Sequence, residues 1–418
     1  MKKLVGILLA AVLFLTMTGS ALAEEITLWH TFTEDPEVME KISAAFTEKY
    51  PDISVKLVSM GNEDLRKSIK MALTAGTGPD VFPYDCGPGY MGVLAEAGLV
   101  MALDDAAEEY GWHERLAPWG LEAARYKGTL YGIACEYEIL VAYYNKAIFA
   151  ELGVSEPATY DEFVDICRKA VDAGYIGLVL DDMEQWPGYH YESLFYGAFG
   201  GPDLVNGVLD LSVKGGWNQP QFADALDALA ALVAEGLTSP FPNAIPHADA
   251  MRDFYTGAGA IYLTGTWSID AMYENMEDNV GMFIFPSVSE DIPSVPPVGV
   301  GTGYLVNINS SDAAVKFLDF MYDGEGGAKI WMEYAPNILP CDVDTSEMGF
   351  NPLFMELIEI ADNTDVFNAN IDVLMPQNVN DVTMNFMQRI IDNDITGKEA
   401  VEIKQIEFEK AIADGIYQ

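Results

Sequence analysis

The sequence predicts an α/β protein of two lobes that are joined by three short crossings of the chain. Strand and helix patterns alternate from Ile26 onwards, which is the order that builds a mostly parallel sheet covered by helices. The 418 residues exceed the usual size of one hydrophobic core. Short strand-like segments near Cys135, Leu263 and Ile308 are the candidate linkers, and three such crossings suit two lobes that move about a hinge.

The first elements follow from local signals. An N-cap and a first-turn proline at Asp35 and Pro36 begin a helix that Pro51 stops, and Gly76 suits the end of the next helix. The expected order is strand 26–29, a helix up to 50, strand 53–57, a helix over 65–73 and strand 80–84.

Later helices show the same kinds of signal. Apolar stripes over 163–170 and 222–233 are followed by Gly174 and Gly236, and the pattern over 312–321 predicts another helix. Thr396 and Glu399 form the sequence signature of a capping box, so the last helix is expected to begin there.

The N-terminus is typical of a cleavable secretory signal over residues 1–23. Two lysines precede an apolar run from Leu4 to Leu15, and Ala21-Leu22-Ala23 is a small-residue exit. An uncleaved anchor is the alternative, but the run falls short of the roughly 20 residues that cross a bilayer. We expect an exported protein that is periplasmic or attached to the cell surface.

Charge and composition narrow the possible ligands. A formal net charge of −43 repels nucleic acid and anionic lipid, so nucleic-acid binding is set aside. The four cysteines permit up to two disulfides or remain buried free thiols. Neither they nor the four scattered histidines have the spacing of a metal site, so we expect no metal and no cofactor.

Trp267 is the aromatic residue best placed to meet a ligand. The apolar strand pattern from Ala260 ends at Gly265, and Trp267 follows directly. Ligands of open α/β sheets bind beyond the carboxyl ends of strands, where an indole offers a flat face to the C–H side of a sugar ring.

Other strand ends are expected to open on the same crevice. The candidates after the first strand are His30, Thr31 and Phe32, and those after the third strand are Tyr84 and Asp85. Trp186 and Tyr189 flank Pro187-Gly188, which we interpret as a turn that exposes both rings in a cleft. Glycines at 299, 301 and 303 indicate backbone that lies close to a ligand; a phosphate-binding loop is disfavoured because no helix follows.

The chain resembles the extracytoplasmic solute-binding proteins of ATP-driven sugar importers, the group that includes the maltose-binding protein. The resemblance covers nearly the whole chain after residue 23. It is carried by the order and spacing of these segments: Phe46-Thr-Glu-Lys-Tyr-Pro-Asp-Ile-Ser-Val, Ala75-Gly-Thr-Gly-Pro-Asp-Val-Phe, Tyr131-Gly-Ile with Tyr143-Tyr-Asn-Lys, Gly257-Ala-Gly-Ala-Ile-Tyr-Leu-Thr-Gly-Thr-Trp, and Ala313-Ala-Val-Lys-Phe-Leu-Asp-Phe-Met.

This resemblance implies a periplasmic-binding-protein-like fold with a ligand cleft between two α/β lobes. The expected first lobe is 24–134 plus 264–308, and the second is 135–263 plus 309–418. The resemblance places a common set of residues in the cleft: His30, Thr31, Phe32, Tyr84, Asp85, Glu136, Tyr137, Trp267, Gly301, Thr302 and Gly303, with Trp186 and Trp331 as looser inferences. The lipidated cysteine of many relatives from Gram-positive bacteria is missing, so the mode of surface attachment stays open.

We therefore expect a monomeric binding protein, not an enzyme, that captures a carbohydrate by lobe closure and passes it to the permease subunits of an ABC importer. Trp267 would stack on a sugar ring, while Asp85 and Glu136 would accept hydrogen bonds from hydroxyls. Two alternatives remain. Convergence of Asp85, Glu136 and Glu138 would favour a polyamine or another cation, and a pair of carboxylates about 5 to 9 Å apart would suit a secreted glycosidase.

Overall fold

The computed structural model describes residues 24–31, 36–362 and 366–417. The expected signal segment 1–23 and the predicted cleft residue Phe32 lie outside the described residues. Among the helices of the described ranges, none combines the length and the apolar character that crossing a membrane requires.

The strands form two mixed sheets and one small hairpin. In chain order they are β1 Glu24–His30, β2 Ile53–Ser59, β3 Val81–Asp85, β4 Arg125–Tyr126, β5 Thr129–Leu130, β6 Gly132–Ala134, β7 Glu138–Asn145, β8 Ile176–Val179, β9 Gly259–Gly265, β10 Val280–Phe283, β11 Pro297–Gly299, β12 Thr302–Val306 and β13 Asn368–Ala369. The two large sheets define two lobes.

Helices cover both sheets. In chain order they are α1 Glu37–Lys49, α2 Asn62–Thr74, α3 Met91–Glu96, α4 Asp104–Glu109, α5 Trp112–Arg115, α6 Pro118–Glu122, α7 Lys146–Leu152, α8 Tyr160–Asp172, α9 Trp186–Leu209, α10 Pro220–Ala234, α11 His247–Tyr255, α12 Ile269–Met276, α13 Asp312–Met321, α14 Gly327–Tyr334, α15 Pro352–Asp362, α16 Gln377–Ile391 and α17 Gly397–Ala413. The helix predicted over 312–321 is confirmed, and so is the capping box of Thr396 and Glu399.

The first lobe is built on the sheet β2-β1-β3-β12-β6. Strands β1, β2 and β3 are parallel, whereas β12 runs antiparallel to both of its neighbours, so the sheet is mixed instead of mostly parallel. Its apolar core includes Leu28, Phe46 and Ile69, which are 0 % exposed. The carboxyl ends of β1 and β3 therefore open on one edge, as expected for parallel strands.

The second lobe is built on the sheet β13-β11-β7-β9-β8, with β10 also paired to β7. Strand β7 is antiparallel to β9, β10 and β11, whereas β8 and β9 are parallel. Helices α8, α9, α10, α16 and α17 bury one large apolar cluster against this sheet. A smaller cluster covers the opposite side and includes residues of α11, α12 and α15.

The strand pairing divides the chain differently from the expected partition. Residues 269–299 were assigned to the first lobe, but β10 and β11 pair with β7 and therefore belong to the second. Residues 312–334 were assigned to the second lobe, but α13 and α14 pack into the first-lobe core. The crossings lie at 135–137, at 300–301 and between Cys341 and Pro352, because Cys341 still pairs with Leu116 of the first lobe. Cys135 is therefore at a crossing, whereas Leu263 and Ile308 lie within one lobe.

All four cysteines are free. Cys86, Cys135 and Cys167 are buried, and Cys341 is half-buried. Burial raises the pKa of the Cys341 thiol to about 12, so it is a weak nucleophile at neutral pH. Of the two interpretations that the sequence left open, the structure shows free thiols.

Candidate functional site

A cavity of about 840 Å³ lies between the two lobes, and all three crossings contribute to its wall. The first crossing supplies Glu136, the second supplies Gly301, and the third supplies Gly349 and Asn351. Clefts of roughly 300–1,000 Å³ are the usual size for small-molecule sites. The cavity is therefore large enough for a guest of several rings, and it touches every segment that a change of lobe angle would bend.

Two tryptophans form the aromatic wall of the cavity. The ring centroids of Trp186 and Trp267 are 6.1 Å apart and their planes make an angle of 70°. His190 fills the angle between them, with its ring centroid 5.1 Å from Trp186 and 5.3 Å from Trp267. Both indoles line the cavity, so two flat apolar faces meet a guest at nearly a right angle.

Local backbone geometry explains where these rings stand. Strand β9 ends at Gly265, and a single turn over Thr266–Ser268 carries Trp267 back across the strand end. Trp186 begins α9, because Pro187 is tolerated in the first turn of a helix. The N–H of Gly188 donates a hydrogen bond of 2.7 Å to Asp182 Oδ1, which anchors that helix start.

The opposite wall carries an ion pair. Arg66 on α2 donates two hydrogen bonds to Asp85 at the end of β3, from Nε to Oδ2 at 2.7 Å and from Nη2 to Oδ1 at 2.6 Å. Burial opposes the charge of Arg66, but Asp85 and the bonds to it raise the pKa of the guanidinium above its usual value. Asp85 is thus an acceptor already occupied by Arg66, not the free acceptor expected from the sequence.

Glu136 is within the first crossing, Glu138 begins β7, and both line the cavity. Burial, and after it the charge of Asp270, raises the pKa of Glu136 to about 7. Burial and the neighbouring Glu136 raise the pKa of Glu138 well above its usual value. Oε2 of Glu136 is buried without a hydrogen-bond partner.

Two histidine–carboxylate pairs support the aromatic wall. His190 Nε2 lies 3.2 Å from Asp372 Oδ2, and both side chains line the cavity. His247 Nδ1 lies 3.0 Å from Asp181 Oδ2, and its ring is 4.6 Å from Trp186. These contacts hold the two imidazoles against the indoles.

The structure brings seven of the predicted residues to the cavity wall. They are Thr31, Asp85, Glu136, Trp186, Trp267, Gly301 and Thr302. A β-carbon on Gly301 would lie 2.5 Å from either carboxylate oxygen of Glu138, so this close approach requires glycine.

Four other predicted residues lie beside the cavity instead of in its wall. His30 is 1 % exposed, and burial lowers its pKa. Burial, with the charge of Asp85, raises the pKa of Tyr84 to about 12, and its ring packs against Tyr90. Tyr137 packs on Trp119, and Gly303 is in the middle of the sheet next to Cys86.

Two aromatic predictions are corrected. Trp331 is 2 % exposed and packs edge-on against Tyr304 in the first-lobe core, because α14 turns its apolar face to that core. Tyr189 is 0 % exposed, because Pro187-Gly188 is the first turn of α9 and not a loop, so Tyr189 faces inwards. Neither residue lines the cavity.

The cavity residues that the sequence did not single out include Arg66, His190, His247 and Asp372. Arg66 is on the polar face of an amphipathic helix, where a solvated arginine is the ordinary expectation. Asp372 follows β13 late in the chain, far from any recognised motif. Nothing in their local sequence marks these residues, because only the tertiary fold brings them to the cavity.

The sequence pattern of bacterial extracellular solute-binding proteins matches residues 29–328. A maltotriose-binding protein of Pyrococcus abyssi (strain GE5 / Orsay) is 26 % identical over 309 residues, which are 70 % of this chain and 61 % of that relative. The match thus spans about three fifths of the relative's length.

Solved structures share the fold. A chitin oligosaccharide binding protein superposes with a TM-score of 0.80 at 22 % identity, covering 93 % of this chain and 100 % of the other. The maltose/maltodextrin-binding domain of Bdellovibrio bacteriovorus bound to maltotriose superposes with a TM-score of 0.73 at 21 % identity, covering 93 % of this chain and 100 % of the other. Together with the two lobes and the cavity between them, the match over 29–328 shows that the chain belongs to the family of bacterial extracellular solute-binding proteins.

Proposed function

We propose that this protein captures a carbohydrate between its lobes and delivers it to the membrane permease of an ABC importer. The observation that carries the proposal is the pair of indoles at 70° in a cavity that also presents carboxylate and amide groups. Sugar rings have apolar C–H faces and polar rims, so they need both kinds of surface. Similar proteins named for binding maltotriose and chitin oligosaccharide support the same ligand class.

Capture requires closure of the lobes. A guest that contacts Trp267 in the second lobe and Thr31 in the first reaches both only when the cleft is shut. Its affinity for the closed state is therefore higher, and that difference shifts the hinge equilibrium. Micromolar affinity corresponds to about −8 kcal/mol, which a few hydrogen bonds and stacked faces supply once water is excluded.

The proposal includes export and the absence of catalysis. Residues 1–23 would direct secretion and be removed, and the mature protein would act as a monomer that leaves its guest chemically unchanged. Release would depend on the permease subunits reopening the cleft, so no covalent step is required.

The test is a ligand screen of the protein from residue 24 onwards. Thermal shift against mono- and oligosaccharides finds candidates, because a ligand at a hundredfold excess over its Kd adds about 2.7 kcal/mol of stability. Calorimetry then gives the Kd, and small-angle X-ray scattering is expected to show compaction. A saccharide recovered with new reducing ends after incubation would contradict the proposal in favour of a glycosidase, and failure of all saccharides would contradict it altogether.

A further inference from the structure

Glu136 and Glu138 differ from Asp85 and Asp372 of the same cavity because they have no cation beside them. Asp85 is paired with Arg66, and Asp372 lies beside His190. Within the described residues, neither Glu136 nor Glu138 has a lysine, arginine or histidine within ion-pair distance. Both nevertheless lie in the cavity wall.

The two glutamates are close to each other and removed from water. Glu138 is 8 % exposed, and its carboxylate approaches the backbone of Gly301 so closely that a β-carbon there would lie 2.5 Å from both oxygens. Oε2 of Glu136 is buried with no hydrogen-bond partner. Burial and the charge of Asp270 raise the pKa of Glu136, and burial and the charge of Glu136 raise the pKa of Glu138. The negative charges are therefore unfavourable unless a positive group joins them.

The cavity as a whole also has more negative than positive side chains. Nine carboxylate side chains line it, whereas Arg66 is the one lysine or arginine among the described lining residues, and Arg66 is held by Asp85 and Glu63. Such a field concentrates cations in the cleft.

Strand register brings the glutamates and the aromatic wall together. Leu140 of β7 pairs with Gly265 of β9 in antiparallel register. Glu138 and Trp267 are each two residues beyond this pair at the same end of the ladder, and Ile139 N–H donates to Thr266 Oγ1 at 3.1 Å. A ring stacked on Trp267 therefore has its edge near Glu138.

We propose that the saccharide taken by this cleft carries a protonated amine, and that its ammonium group binds between Glu136 and Glu138 while its ring lies on Trp267. This inference rests on the proposed function, because it specifies the carbohydrate. An ammonium supplies the positive charge that the two carboxylates lack, and its N–H groups donate charge-assisted hydrogen bonds to Oε2 of Glu136 and to Glu138. A linear polyamine would supply the charge but not the ring that the two indoles accommodate.

The ligand experiment uses matched pairs that differ in an amino or hydroxyl group. The pairs are glucosamine with glucose, galactosamine with galactose, and chitosan oligosaccharides with cello-oligosaccharides, measured by calorimetry at pH 7 with spermidine as a separate probe. We expect the amino member of at least one pair to bind about tenfold more tightly than its neutral partner. That preference is expected to shrink as salt is added.

The outcomes separate this inference from the proposed function. If neutral sugars bind as tightly as their amino partners in every pair that binds, the inference is overturned and carbohydrate capture stands. If no saccharide of either kind binds, the proposed function fails with it. Binding of spermidine alone would then assign the cleft to a non-saccharide cation.

Two charge-removing variants test the position of the ammonium. Glu136→Gln and Glu138→Gln keep the shape of each side chain and remove a repulsive charge, so both are expected to fold. Each variant is expected to lower the affinity for the amino saccharide about tenfold and the affinity for its neutral partner less than about threefold. Glu48→Gln is the matched control, since Glu48 is an exposed carboxylate of α1 outside the cavity wall and the change in net charge is the same. An equal loss in Glu48→Gln would overturn direct contact.

Discussion

The indole of Trp267 covers the backbone of Gly265 so closely that a β-carbon on Gly265 would lie 1.8 Å from ring carbon Cζ3. The backbone at Gly265 has φ −96° and ψ 174°, which any residue adopts. Glycine is thus required there because the indole leaves no room for a side chain, and not because of the backbone conformation. Its role is to let the Trp267 ring lie close against the end of β9.

Gly265→Ala is therefore expected to displace the indole without unfolding the protein. Overpacking of this kind costs about 1–3 kcal/mol, so affinity for the saccharide found in the screen should fall on the order of tenfold by calorimetry. Gly349→Ala is the control, because a β-carbon on this glycine of the cavity wall meets nothing within 4 Å. Equal affinities of Gly265→Ala and wild type would contradict the stacking role of Trp267.

Trp267→Ala and Trp331→Ala are expected to have opposite effects. Removal of the half-buried Trp267 should weaken saccharide binding at least about tenfold, with a modest loss of stability, because a stacking face is lost. Trp331 is 2 % exposed, so its removal should cost about 3–5 kcal/mol in urea unfolding. The folded Trp331→Ala protein should keep its affinity; a binding defect there would mean that Trp331 reaches the ligand after all.

Glu136 makes the stability of the ligand-free protein depend on pH. Its pKa is raised to about 7 in the folded state, against about 4.3 in the unfolded chain, so the native state binds the proton more tightly. Stability from this group is present below the unfolded pKa and is lost as the pH rises through the folded one. Between pH 5 and pH 8 the wild type should lose roughly 1–3 kcal/mol relative to Glu136→Gln in chemical denaturation. Parallel pH profiles would show that Glu136 ionises normally.

A buried ion pair lies in the core of the second lobe, outside the cavity wall. Lys404 and Glu192 are both 0 % exposed, and Lys404 Nζ lies 4.3 Å from the ring centroid of Trp217. Lys404→Met leaves Glu192 buried and unpaired, so we expect a loss of about 3–5 kcal/mol in urea unfolding. The double variant Lys404→Met/Glu192→Gln should recover a large part of the lost stability, because it removes the unpaired charge.

Lys398→Met provides the comparison, since Lys398 is on the same helix, 77 % exposed and paired only with Glu402. Its effect should stay below about 0.5 kcal/mol. An equal loss of stability in Lys404→Met and Lys398→Met would show that burial of the Lys404 pair does not affect the free energy of unfolding.

Local sequence signals predicted the helices and their caps better than they predicted which segments belong to which lobe. The helix Asp312–Met321 and the cap at Thr396 depend on neighbouring residues, so the sequence contains what is needed to find them. Strands β10 and β11 belong to the second lobe because both pair with β7, and strand order along the chain does not specify that partner.

The aromatic residues show the same limit within the site. Trp267 could be found because it follows a strand end, whereas Trp331 is a helical tryptophan whose direction depends on packing. Tyr189 was misplaced because Pro-Gly is common both in turns and in the first turn of a helix. Arg66 reaches Asp85 only because α2 packs beside the end of β3, a contact between segments 19 residues apart.

Each pivot between the lobes, at 135–137, at 300–301 and between Cys341 and Pro352, supplies residues to the cavity wall. Torsion at any pivot must therefore shift a group that faces the guest, and a guest that fixes those groups limits the torsions in return. Binding in the cleft and the angle between the lobes are thus coupled directly, without other parts of the molecule. Under the proposed function, the shape of the whole particle would report to the permease whether the cleft is filled.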